Sequence, residues 1–345
     1  MKYTITTHKV NDLQLKMINL VNDLGLKVSL LDYGASIYSI YLYEKLLTVS
    51  AKEVAYHTFP GASFGKTVGR IAGRIKGAQL EVDGITYQLE KSRFTNDTLH
   101  SGSSNFANKI FKYEIKEDKD EVKVIFNYLS LEKEAIIPGD IDVKVIYTIY
   151  RLSNKIRIEF NATSTKNTYL NITNHTFYNL SGNFADGIEN HYLMINAKQK
   201  AVSDEALNPM YIEKCSKEFD FTTEKLLKDN LYTREVLFRP HRGYDDAFLL
   251  DKPSNNLALS LYSPYSNIRL NVYTSYPGVV IYTGGYPAFM ELCEEVKNKF
   301  QFDSLCIEPQ FIPNGYNIFD KKYMYLDKNK EYNHYIELEF SKELI

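Results

Sequence analysis

The sequence predicts an all-β fold, a large antiparallel β-sandwich, on three observations. Apolar and polar residues alternate with period two along most of the chain, polar turns join successive runs, and stretches with helical spacing are few and brief. Turns such as Glu117–Asp120 and Leu152–Asn154 are too short for parallel crossovers and suit antiparallel hairpins.

In chain order, the strand-forming segments begin with LQLKMINLVN and LKVSLLDYGASIYSIYL. QLEVDGITYQLE follows as a hairpin about Asp83-Gly84, a dipeptide suited to a two-residue turn. IFKYEIKEDKDEVKVIFNYL and DVKVIYTIYRLSNKIRIEFNATS read as two further hairpins, and LALSLYSPYSNIRLNVYTSY, GVVIYTGGY and YIELEF complete the set. Helical spacing is confined to Thr222–Leu227 and Met290–Lys299. With no linker, repeat or low-complexity tract to divide the chain, residues 1–345 are expected to form one domain.

Composition narrows the function. The apolar fraction of 44% is ordinary for a folded globular chain, and the formal charge of −2 offers no basic field for nucleic acid or an anionic membrane. A neutral small molecule is the expected partner. Cys215, Cys293 and Cys306 show no C-x-x-C spacing and leave one over if two pair, so they are expected to be reduced thiols. The N-terminal MKYTITTHKV lacks the apolar stretch of a signal peptide, and no run reaches the ~18 apolar residues of a membrane span. A cytoplasmic location is expected.

GASFGKTVGRIAGR, residues 61–74, has the look of a phosphate-binding loop, but only three residues separate Gly61 from Gly65 where a P-loop has four. No helix pattern follows it, so nucleotide binding is not the reading. Arg70 is expected to be structural, a strand-end residue in an ion pair. His8, His57, His191, His241 and His334 stand in segments with no other chemical signal. His100 lies in a turn-rich loop, TNDTLHSG, and His175 in NITNHTFYNLSG. Glu308 ends the apolar run Leu305-Cys306-Ile307 just before a proline. Two readings stand for it: a desolvated carboxyl with a raised pKa suited to general-base work, or a structural acid paired with an arginine. Of Asp245 and Asp246, one is expected to face a cleft and the other to be a solvated turn residue.

Taken in order, GRIAGRIKG, LEVDGITYQL, LHSG, PGD before VKVIYTI, NITNHTFYNLSG, GYDDAFLL, PGVVIYTGGY and CIEPQFIPN resemble the motifs of the aldose 1-epimerase (galactose mutarotase) family from Gly65 to Asn317. The resemblance implies a β-supersandwich whose open cleft binds a free sugar with neither metal nor cofactor, in a monomer or homodimer. It further implies that Glu308 is the general base, His175 the general acid, His100 a contact on the ring-oxygen side, and Asp245 and Arg74 hydroxyl-binding groups. Two positions depart from the family pattern. Gly73 stands where asparagine is common and Val280 where glutamine is usual, so two amides that could hydrogen-bond a sugar are missing. A sugar other than galactose or glucose, such as a reducing disaccharide, is compatible with that change. A hexose-6-phosphate epimerase would need a basic cluster at the cleft, and a sugar-binding protein without turnover would be expected to lack Glu308 or His175.

Overall fold

The computed structural model describes residues 1–343 except 60, 62, 94, 184–185, 240–241, 252–253 and 284–301. The expected helix at Met290–Lys299, together with Cys293 and His241, lies outside the described residues.

Antiparallel pairing dominates, as the short turns require. Lys112–Glu117 pairs with Glu121–Ser130, and Ile141–Tyr150 with Lys155–Ser164, through the two predicted hairpin turns; Glu121–Ser130 also pairs with Ile141–Tyr150, and all four strands enter a nine-stranded sheet. Their burial alternates with the sequence pattern: Val143, Val145, Tyr147 and Ile149 point inward, as do Ile156, Ile158 and Phe160 on the neighbouring strand. A five-stranded sheet spans Lys2–Val10 to Lys45–Leu46. The third large sheet has seven strands in the order Pro209–Lys214, Gln199–Ser203, Asp245–Leu249, Gly278–Tyr282, Leu305–Gln310, Thr173–Tyr178 and Lys66–Val68.

Inward residues of all three sheets, among them Ile40, Val145, Phe160, Phe248, Ile281 and Ile307, join one contiguous apolar cluster. Each such large side chain contributes about 1.5–3 kcal/mol by leaving water. The fold is the predicted antiparallel all-β architecture.

Local chemistry explains the turns. Asp83 and Gly84 both have positive φ, 51° and 80°, which is what a two-residue hairpin turn between Gln79–Val82 and Ile85–Gln88 demands. In the stretch that imitates a phosphate loop, Gly65 packs against a neighbouring strand: a Cβ there would sit 1.8 Å from the Ile37 carbonyl oxygen. Close backbone approach accounts for that glycine.

Two expectations need correction. Thr222–Leu227 is not helical, because Thr222 donates both its backbone N–H and its hydroxyl to the Asp220 carboxylate in a turn; a short strand, Lys225–Leu226, follows, and the helix starts at Leu227. Arg70 is structural, but not as a strand-end ion pair. Its guanidinium is fully buried and donates to the Ser130 hydroxyl and to the carbonyls of Ser130, Ile137 and Gly139. It ties the loop after Glu132–Ala135 to the body of the protein.

Candidate active site

One face of the seven-stranded sheet packs on the core and the other floors an open cleft of about 570 Å³. Alternation sorts the residues. On Leu305–Gln310, Leu305 and Ile307 join the core, whereas Glu308 and Gln310 line the cleft. On Asp245–Leu249, Phe248 goes to the core, and Asp245 and Ala247 to the cleft. Ala247, Val280 and Glu308 form one row across three strands.

The sheet divides at the end of this row. Pairing between Thr173–Tyr178 and Leu305–Gln310 runs from Tyr178↔Leu305 to Thr176↔Ile307 and stops, and Thr173–His175 pairs instead with Lys66–Val68. Pro309, which has no N–H to give a ladder, stands just past the last pair. His175 and Glu308 therefore face each other at the first position beyond the ladder. His175 Nε2 lies 3.4 Å from Glu308 Oε1, with both side chains almost fully buried.

Burial raises the Glu308 carboxyl to about 8, with the nearby Asp245 charge adding to the effect, and burial lowers the His175 imidazole to about 4. Between those limits the two groups together hold one proton. Cys306 completes a triangle: its Sγ is 3.2 Å from His175 Nδ1 and 3.6 Å from Glu308 Oε1. On the far side of the carboxyl, Gln310 Nε2 donates to Oε2 at 3.5 Å, and Gln310 is itself held by Asn171.

His100 follows the short strand Thr98–Leu99, which pairs with Arg74–Ile75 and so brings His100 beside Gly73 and Arg74. The Gly73 N–H donates to His100 Nδ1 at 3.0 Å, which leaves Nε2 as the proton-bearing nitrogen of the neutral ring. Burial holds this imidazole down to about 3, and the charges of His175 and Arg74 act in the same direction. His100 also meets His175 edge to face, with ring centroids 5.6 Å apart. Arg74 is the only cation among the described lining residues.

Of the aspartate pair, Asp245 faces the cleft. Its carboxyl is raised to about 6 by burial and by Asp246, with Arg74 and Arg239 opposing. Asp246 is not the solvated turn residue expected from the sequence. It is 3% exposed, accepts two hydrogen bonds from Arg239 at 2.5 and 3.1 Å, and lies 3.5 Å from Lys200 Nζ. Neither cation is recognisable from the local sequence, since strand register decides which aspartate turns inward.

All five residues singled out in the sequence, Arg74, His100, His175, Asp245 and Glu308, line this one cleft. Gly73 and Val280, the two departures, line it too. At Gly73, φ is +80° and a Cβ would lie 2.6 Å from Pro313, so an asparagine side chain has no room. Among the described residues Glu308 has no arginine partner; its polar contacts are His175, Cys306 and Gln310. Cys306 is the residue that sequence reasoning missed. His175, Cys306 and Glu308 offer donor atoms within 4.8 Å of one another and could in principle hold a cation. The described histidines that carried no chemical signal are elsewhere: His57 contacts the Ser36 hydroxyl, His191 accepts from the Leu180 N–H, and His8 and His334 lie outside the cleft lining.

The sequence profile of the family described as aldose 1-epimerase matches residues 16–339. The chain belongs to the aldose 1-epimerase family, a family of isomerases. It is 28% identical over 341 residues to the aldose 1-epimerase of Escherichia coli K12, covering 95% of this chain and 96% of that one. The maltose epimerase of Levilactobacillus brevis is 23% identical over 334 residues, covering 94% of both chains. The crystal structure of galactose 1-epimerase from Lactobacillus acidophilus superposes with a TM-score of 0.88 at 25% identity, covering 99% of each chain. Among the described residues of this family member, no helix is long and apolar enough to cross a membrane.

Proposed function

We propose that this chain interconverts the α and β anomers of a free aldose, with Glu308 as general base and His175 as general acid. The observation that carries this reading is the His175–Glu308 pair, 3.4 Å apart on the cleft floor beside His100, Arg74 and Asp245. Glu308 as carboxylate takes the proton of the C1 hydroxyl while His175 as imidazolium gives one to the ring oxygen. The C1–O5 bond breaks, the aldehyde forms, and rotation about C1–C2 presents its other face. On reclosure the O5 proton returns to His175 and Glu308 returns its proton to O1.

Charge and geometry support these roles. The working form, carboxylate plus imidazolium, holds the same single proton as the neutral pair, so it needs no exchange with solvent, only transfer across the pair. His100, with Nδ1 occupied by the Gly73 N–H, can only donate through Nε2, which suits a sugar oxygen. Arg74 and Asp245 suit hydroxyl binding as a donor and an acceptor. Glucose and galactose are the first substrates of this reading. A reducing disaccharide is a second, favoured by Ala247 and Val280 on the floor and Leu207, Pro209 and Pro313 in the lining, which offer apolar surface in place of amides, and by the similarity to a maltose epimerase. A phosphosugar is disfavoured because Arg74 alone would face the phosphate among the described lining residues.

Polarimetry of freshly dissolved α-glucose, α-galactose and α-maltose, with and without protein and chelator, tests the reading. Acceleration that survives the chelator is expected. A protein that binds these sugars without accelerating any of them overturns it, and activity lost to chelator and restored by a divalent ion overturns the metal-free mechanism.

A further inference from the structure

The Cys306 thiol touches both halves of the proposed acid–base pair. It is fully buried, and it sits two residues before Glu308, on the same face of the strand. Leu46, Val49, Phe64 and Phe177 pack around it as an apolar cluster. Its polar side-chain contacts among the described residues are His175 Nδ1 at 3.2 Å and Glu308 Oε1 at 3.6 Å.

A thiol has one proton to give and lone pairs to accept with, so this triangle has two arrangements. In one, S–H donates to a bare Nδ1, which requires a neutral imidazole and leaves the Glu308 carboxyl without the thiol's proton. In the other, S–H donates to Glu308 Oε1 and sulfur accepts from Nδ1–H. Only the second satisfies a carboxylate and an imidazolium together. The thiol keeps its own proton throughout, consistent with burial and the Glu308 charge pushing its titration well above the ordinary thiol range.

We propose that Cys306 is a positioning residue of the acid–base pair: by donating to Glu308 and accepting from His175 Nδ1–H, its thiol favours the carboxylate–imidazolium arrangement over the neutral one. This rests on the assignment of Glu308 and His175 under the proposed function. It adds a reason why an otherwise apolar position next to the site carries sulfur. A hydrogen bond to a charged partner is worth about tenfold or more in an equilibrium, so the share of the working form should fall by that order when the bridge is removed.

The test uses the full chain with Cys306→Ala and Cys306→Ser, read by polarimetry and by ¹⁵N NMR of labelled histidine. Cys306→Ala is expected to lower kcat about tenfold with KM changed less than about twofold, and to shift the His175 nitrogen signals from the Nδ1–H toward the Nε2–H form, since Nδ1–H loses its sulfur acceptor. Cys306→Ser, whose hydroxyl both donates and accepts, is expected to recover most of the rate and of the His175 signal. Wild-type kcat in Cys306→Ala overturns the proposal, as does a lowered kcat with unchanged His175 signals, which would mark a packing role. The NMR arm also separates the two ideas: a wild-type protein inactive on every sugar, whose His175 signals still move in Cys306→Ala, sinks the proposed function and leaves the hydrogen-bond arrangement standing.

Discussion

His175 Nε2 and Glu308 Oε1 face each other across 3.4 Å at the position where the ladder between their strands has just ended. One further rung of pairing would run through these two residues. Both side chains meet at the floor of the cleft.

If the pair acts as one acid–base unit, Glu308→Gln and His175→Asn should each fold, bind sugar and lose about 10² or more in kcat. The double variant should lose far less than the product of the two. Optical rotation on purified variants of matched melting temperature measures this, and Glu308→Gln with wild-type kcat would refute the assignment.

The rate should be bell-shaped in pH, flat between limbs near 4 and 8, where the pair holds one proton. The same shift bears on stability. Glu308 titrates at about 8 when folded against an ordinary 4.5, so its contribution to stability is fully present below 4.5 and is lost as pH rises through 8. Glu308→Gln has no such loss. Its melting temperature relative to wild type should therefore rise steadily from pH 4.5 to 8. His175, lowered from 6.5 to about 4, costs stability as pH falls and is common to both proteins. A constant difference across that range would show that Glu308 is not desolvated.

Arg74→Ala and Asp245→Ala should chiefly raise KM, because hydroxyl contacts exist in both ground and transition states. Asp246→Ala should act differently. It strands Arg239 and Lys200, and breaking a buried ion pair from one side typically costs 3–5 kcal/mol. Thermal melts should show a marked drop for Asp246→Ala and little for Asp245→Ala. The reverse order would mean the wrong member of the pair had been placed inside.

Val280→Gln and Gly73→Asn both restore an amide, with opposite expected outcomes. Val280 lies on the cleft floor, and glutamine there should lower KM for glucose or galactose without large loss of stability. Gly73→Asn forces a side chain into Pro313 at a positive φ and should destabilise the protein by about 1–3 kcal/mol. KM values over the sugar panel, with melting temperatures, decide both.

The sequence made the strands and most hairpins legible because period-two alternation and turns such as Asp83-Gly84 are local signals. Ordered motifs likewise carried Arg74, His100, His175, Asp245 and Glu308 to one cleft. What was not legible depends on contacts outside each motif. Asp246 is held by Arg239, seven residues before it, and by Lys200, 46 residues before it, and nothing in GYDDAFLL distinguishes it from Asp245. Arg70 finds carbonyls of residues 130, 137 and 139, which its own motif does not announce. Cys306 could have been found. A residue two before Glu308 on a strand shares its face, and reading the three cysteines simply as reduced thiols passes over that position.

The parting of strands at Thr176↔Ile307 has a consequence for how such a protein can change its diet. The spacing of His175 and Glu308 is set by main-chain pairing on either side of the fork. Val280, Ala247, Leu207 and Pro209 line the rest of the cleft and make no side-chain contact that sets this spacing among the described residues. On the proposed function, divergence toward new sugars can therefore proceed lining residue by lining residue while the acid–base pair is inherited intact.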